Sequence, residues 1–142
     1  MPRSESVNWL PISEMPLIAS MIDEALEDTR AQIKTLTEAS TRPHVMDDAT
    51  VDRIDRVYAE QMEFVDIYAE QIVRWRTESR SVHQTNELDR MEETNRELRE
   101  ATTIVLALSR ELRRGTIDRV MERSDIELGL EAVLRGRSAT RR

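Results

Sequence analysis

Residues 51–75 read VDRIDRVYAEQMEFVDIYAEQIVRW, and the spacing inside them decides the class of the fold. Val51, Ile54, Tyr58, Val65, Tyr68, Ile72 and Trp75 follow a seven-residue pattern of core positions. That rhythm puts them on one stripe of an α-helix. Among them stand Glu60, Glu63 and Asp66 at three-residue spacing. The same stretch therefore poses a chemical question: a metal or acid–base box, or the hydrated side of an amphipathic helix.

Outward from that stretch, no glycine or proline occurs between His44 and Arg114. A single helix of that length would reach roughly 105 Å at about 1.5 Å per residue. A second heptad, Met91, Leu98, Val105 and Leu112, is out of step with the first, and TESRSVHQTNE (77–87) lies between them. This phase change predicts a turn within residues 79–86, capped by Ser81 with Gln84, and hence a long coiled-coil-like hairpin. Asn95, Thr102 and Ser109 alternate with the apolar positions of the third helix. Polar groups there fix register and oligomer state at some cost in stability.

Upstream, Ser13 is the expected N-cap of a helix that runs to about Ala39 with Ile18, Ile22, Leu26, Thr29, Ile33 and Leu36 inward. Pro43 ends it. Residues 1–12 form an extended arm, because Leu10 precedes Pro11 and is biased away from helix. Its Trp9, Leu10 and Ile12 either fold back over the bundle or dock on a partner. Downstream, Gly115 takes the C-cap place and Thr116 caps a shorter fourth helix. Ser124 with Glu127 marks a kink or restart, and Gly136 closes the helix. One domain over residues 13–136 and a disordered basic tail over 137–142 are expected.

Composition narrows the function classes. The 142 residues are 39% hydrophobic, 35% charged and 4% aromatic, with 3 glycines and 4 prolines. Such a chain suits long helices that share apolar faces, not a sheet. The formal charge of -7 opposes a nucleic-acid surface, since phosphates call for a positive footprint. With Cys 0 there is no disulfide framework or thiolate site, and a cytoplasmic location is expected. No apolar run long enough for a membrane span occurs.

Two constellations carry possible chemistry. Glu24-x-x-Glu27 and Glu63-x-x-Asp66 resemble the paired acidic motifs of the all-helical nucleoside triphosphate pyrophosphatases of the MazG-like group. That resemblance implies a magnesium ion held by four carboxylates between two helices. Arg76 and His83 resemble the arginine–histidine element of HEPN-type ribonucleases, which implies an arginine on a phosphate and a histidine as general acid or base.

Helical geometry answers the first of these. At about 100° per residue, Glu63 lies about 160° from Val65, and Asp66 about 100°. Glu24 and Glu27 lie about 160° and 140° from Ile22 on the same reckoning. If the first and second helices meet along their apolar stripes, both acidic pairs point outward into water. The predicted turn likewise separates Arg76 from His83. No histidine-based metal pattern or phosphate-cradling glycine loop is present.

The sequence thus leads to an all-α antiparallel bundle of about four helices. It is expected to be dimeric, because narrow stripes on long helices bury too little alone. The expected function is a non-enzymatic protein–protein interaction module: a scaffold, adaptor or accessory subunit. Its partners are a second copy and a protein that no residue names. No cofactor or metal is expected, and a nucleotide- or RNA-cleaving helical enzyme is the alternative.

Overall fold

In the computed structural model, residues 7–42 and 45–140 are described, apart from the side chains of 131 and 135–140. The chain is all-helical. A 3-10 turn, Ile12–Glu14, leads into α1 (Met15–Ala39), followed by α2 (Asp48–Glu78), α3 (Val82–Arg113) and α4 (Ile117–Thr140). Three of these helices pack together, and the fourth projects from them.

Each boundary has a local cause. The N–H of Glu14 donates to the Pro11 carbonyl at 2.9 Å, so the first helix is entered through a tight turn and not through a Ser13 side-chain cap. Asp47 caps α2, accepting from the Thr50 N–H at 2.8 Å, and this hydrogen bond holds its carboxyl below the usual range. Ser81 caps α3 by accepting from Gln84 N–H at 3.1 Å. Gln84 Oε1 reaches back to the Arg80 N–H at 2.8 Å, one residue beyond the N-cap N–H that the usual capping box engages. No glycine among the described residues has a positive φ. The helix ends where expected, with Arg114 as C-cap and Gly115 just after it, but without a left-handed residue; the Gly115 N–H donates to the Leu112 carbonyl at 3.0 Å and the chain passes straight into α4.

Side-chain pairings give the directions. Arg76 meets Asp89 and Glu92, Arg99 meets Asp66, and Arg113 meets Asp52 and Asp55. Numbers rise on one helix as they fall on the other, so α2 and α3 are antiparallel. Asp23 pairs with Arg90 and Arg30 with Glu97, a constant offset, so α1 runs parallel to α3.

The packing order departs from the expectation that the first two helices join along their stripes. α1 and α2 each pack along α3 and touch one another sparsely. The reason is the breadth of α3. Leu88, Asn95 and Thr102 on one edge of its buried face and Ala101, Val105 and Leu112 on the other span about 140° at 100° per residue. An arc that wide serves two neighbours at once.

The core forms two clusters. Ile22, Leu26, Val65, Ile72, Trp75 and Leu98 lie in the larger, and Leu36, Val51, Val105 and Leu112 in the smaller. A polar layer separates them. Gln61 Nε2 donates to Thr29 Oγ1 at 2.8 Å and to Thr102 Oγ1 at 2.9 Å. Each threonine hydroxyl donates in turn to its own helix, at Ala25 and Leu98. One amide thus ties three helices at a single level, and any slip of register breaks both bonds.

Candidate functional site

The residues singled out for catalysis do not assemble into one centre. Glu24 and Glu27 are exposed on α1, and Glu63 and Asp66 on α2. Asp66 is taken by Arg99 Nη2 at 2.6 Å, across to α3 and not toward α1. Among the described residues no three His, Asp or Glu side chains gather where a metal ion could be held. Arg76 is bound by Glu92 and by Asp89, and these hydrogen bonds hold its guanidinium above its ordinary pKa. His83 is exposed in the first turn of α3, beyond the break at Ser79–Ser81. The α2 helix that would have aligned the pair ends at Glu78.

A cleft of about 250 Å³ lies between α2 and α3 beside Arg76, lined also by Val73, Asn95, Arg96 and Arg99. Its arginines are occupied, Arg96 by Glu93 at 2.7 Å and the others as above. Asn95 is 4% exposed. Its Nδ2 donates to the Val65 carbonyl at 3.1 Å, while its Oδ1 has no hydrogen-bond partner among the described residues. Below it Ser109 donates to Asp55. The polar series on α3 is therefore buried and bonded toward α2.

The N-terminal arm folds back on its own chain. Leu10 N–H donates to Gln71 Oε1 at 2.9 Å, and its carbonyl accepts from Gln71 Nε2 at 3.2 Å and Trp75 Nε1 at 2.8 Å. Arg74 lies over the Trp9 ring, 4.3 Å from its centroid. The Leu10 carbonyl thus satisfies the indole N–H of Trp75, a side chain that is otherwise fully buried.

Two other features stand open. The first is a groove between α1 and α2, left because both helices lean on α3. Met21 and Ala25 form one wall, Val57, Phe64 and Tyr68 the other, with Gln61 and Leu98 beneath; the two adjoining cavities measure about 240 and 280 Å³. Val57, Gln61, Phe64 and Tyr68 recur at three- and four-residue steps, a second stripe beside the core stripe of α2. Phe64 and Tyr68 rings sit 6.3 Å apart, and burial pushes the Tyr68 phenol up. The charged side chains lining the groove are Glu24, Asp28 and Glu60, all acidic. Tyr58 is also raised, by burial and then by the Asp28 charge.

The second feature is α4. Its first turn is fixed to the start of α2: Ile117 N–H donates to the Met46 carbonyl at 2.7 Å, Thr116 Oγ1 to Asp48 at 2.7 Å, and Asp48 N–H to Asp118 at 2.7 Å. Beyond that anchor Met121, Ile126, Leu128, Leu130, Val133 and Leu134 are each more than half exposed. Sequence periodicity locates α4 but does not say whether it packs on the main bundle. Val57 and Phe64 were not singled out, because one stripe per helix was assumed. No helix among the described residues is long and apolar enough to cross a membrane. Compared with protein-family models, curated proteins and solved structures, the chain matches none.

Proposed function

We propose that this protein is a non-enzymatic helical interaction module, a scaffold, adaptor or accessory subunit that binds other proteins through surfaces its own bundle leaves uncovered. The observation that carries this reading is α4, anchored at Thr116–Asp118 and then exposing large apolar side chains along its length. Contiguous apolar surface of more than a few hundred Å² on a soluble domain marks an interaction site. Self-association belongs to the same proposal. So does action in the cytoplasm, for which the support is a chain with Cys 0.

The test compares the wild-type chain with Leu128→Asp/Leu130→Asp, two exposed positions whose change is expected to leave the bundle intact, which circular dichroism checks. Binding to a protein, whether a second copy or a partner captured from the source cell, is expected for the wild type and lost in the variant. Equal behaviour of the two chains, together with nucleotide or RNA hydrolysis removed by Glu63→Gln or His83→Ala, would overturn the proposal in favour of an enzyme.

A further inference from the structure

The geometry points to a specific occupant for the groove between α1 and α2: the α4 helix of a second copy of this chain, exchanged reciprocally so that each bundle gains a fourth helix. This rests on the interaction-module reading and names its partner and its two contact surfaces.

The two surfaces fit in kind. Between Ile126 and Leu134 the apolar residues surround most of the helix, with Glu127 and Glu131 the only charges in the run. A helix apolar over so wide an arc is normally buried among neighbours. Gly129 lies about 160° from each of those glutamates at 100° per residue, at the middle of the apolar arc. A Cβ added there would meet nothing within 4 Å. The glycine therefore has no packing role within its own chain, yet it weakens the helix. Close approach of another helix gives it a role.

They fit in length. The groove wall from Val57 to Tyr68 covers about 17 Å and the run from Ile126 to Leu134 about 12 Å, at about 1.5 Å per residue. They fit in charge. The groove is lined by Glu24, Asp28 and Glu60, whereas from Ala132 to the C-terminus the sequence has Arg135, Arg137, Arg141 and Arg142 and no acid.

Area supports a dimer over a single contact. One apolar stripe in one groove buries on the order of several hundred Å² per partner, near the lower end for a stable interface. Reciprocal exchange doubles it and closes the assembly with two-fold symmetry. The anchor at Asp48 and Thr116 leaves the rest of α4 clear of its own bundle.

The experiment uses two full-length variants and analytical ultracentrifugation over a concentration series. Ile126→Asp/Val133→Asp spoils the helix; Val57→Glu/Phe64→Gln spoils the groove. All four positions are at least 46% exposed, and circular dichroism checks that each variant remains folded. The wild type is expected to dimerise, with each variant weakened at least about tenfold, or about 1.4 kcal/mol. An equimolar mixture of the two variants is expected to associate more tightly than either variant alone and less tightly than the wild type, because one intact helix still meets one intact groove.

A wild type that stays monomeric at every concentration would overturn the exchange. If it still captures a different protein through α4, the interaction-module reading survives and only the second-copy occupant falls. A groove variant that dimerises as the wild type does, while the helix variant does not, would show α4 pairing with α4 and would equally sink the inference. Should the double groove variant unfold, Val57→Glu alone, at a side chain 50% exposed, gives the same reading.

Discussion

α3 and α4 are long helices from one chain, and only one of them is covered. In α3 most of the large apolar residues keep to a single broad arc, with Val82 and Ile104 outside it, and Leu88, Leu98 and Val105 are fully buried. In α4 they are scattered around the axis, and Ile126, Leu128 and Leu130 are 63%, 61% and 59% exposed. Apolar content does not separate them; arrangement does. A single arc can be satisfied by neighbours on one side, and α1 and α2 supply them. A helix apolar on several sides needs neighbours on several sides, and among the described residues no further element packs along α4. The contrast teaches that coverage follows the arrangement of apolar side chains around a helix, not their number.

The sharpest way to break the comparison is to truncate one residue in each region. Trp75→Ala removes a fully buried ring whose Nε1 bonds to Leu10, and is expected to cost about 3–5 kcal/mol in urea denaturation. Leu128→Ala, measured where the chain is monomeric, is expected to change stability by less than about 0.5 kcal/mol. Similar losses at the two positions would mean that α4 is packed against its own bundle after all.

The layer at Gln61 tests whether the bundle's internal order is as specific as its hydrogen bonds suggest. Thr102→Val keeps the shape but removes the acceptor for Gln61 Nε2, and leaves that amide short of one partner in a largely dry layer. A loss of about 1–3 kcal/mol is expected. Asn95→Leu should behave differently. The Val65 carbonyl it serves lies inside α2 and keeps its helical bond, and Asn95 Oδ1 has no partner to lose. Stability within about 1 kcal/mol of wild type, in either direction, is expected; a loss as large as that of Thr102→Val would show a polar partner at Oδ1.

How far the sequence reaches follows from the same residues. Val51, Val65, Ile72 and Trp75 are all buried, because a seven-residue rhythm of large side chains has one structural solution. The turn at Ser79–Ser81 was legible from the phase change between two such rhythms, and the all-helical class from both. The layout of helices around α3 was not. Periodicity says which face is apolar, never which neighbour covers it, and the breadth of the α3 arc was hidden by small members such as Ala101 and Thr102. The groove escaped notice for a related reason. Val57 and Phe64 lie off the seven-residue stripe and among charged residues, Asp55, Arg56, Glu63 and Asp66, so a single-stripe pattern does not mark them as a second apolar face. Of the candidate chemistry, Asp66 shows why spacing was insufficient: its neighbour is the cation Arg99 at 2.6 Å.

A gentler probe is pH. Burial raises the Tyr58 and Tyr68 phenols above their ordinary value of about 10, so the fold favours their neutral form. Stability from this source is fully present below about pH 10 and is lost as pH climbs through the raised values. Denaturation midpoints should therefore fall on the alkaline side, and Tyr68→Phe, which keeps the ring and loses the proton, should flatten that fall. α4 contains no tyrosine, so its helicity should not follow the same titration. An unchanged alkaline limb in Tyr68→Phe would assign the loss to Tyr58, beside Asp28.

The smallest expected effect bears most directly on α4. Nothing lies within 4 Å of a Cβ placed at Gly129, so in the monomer Gly129→Ala should add helical stability of about 0.5–1 kcal/mol, through the reduced freedom of the unfolded chain alone. Hydrogen exchange across residues 121–134 would register it as slower local opening, with the bundle's global unfolding unchanged, since local helix stability and core stability are separate quantities in a structure where the two share only one turn of contact. Should exchange slow in the monomer while dimerisation weakens, the methyl group has entered a close helix–helix contact that the glycine had left room for. Should both improve together, the glycine side faces water in the dimer as well, and the apolar arc centred on it is not the face that meets the groove.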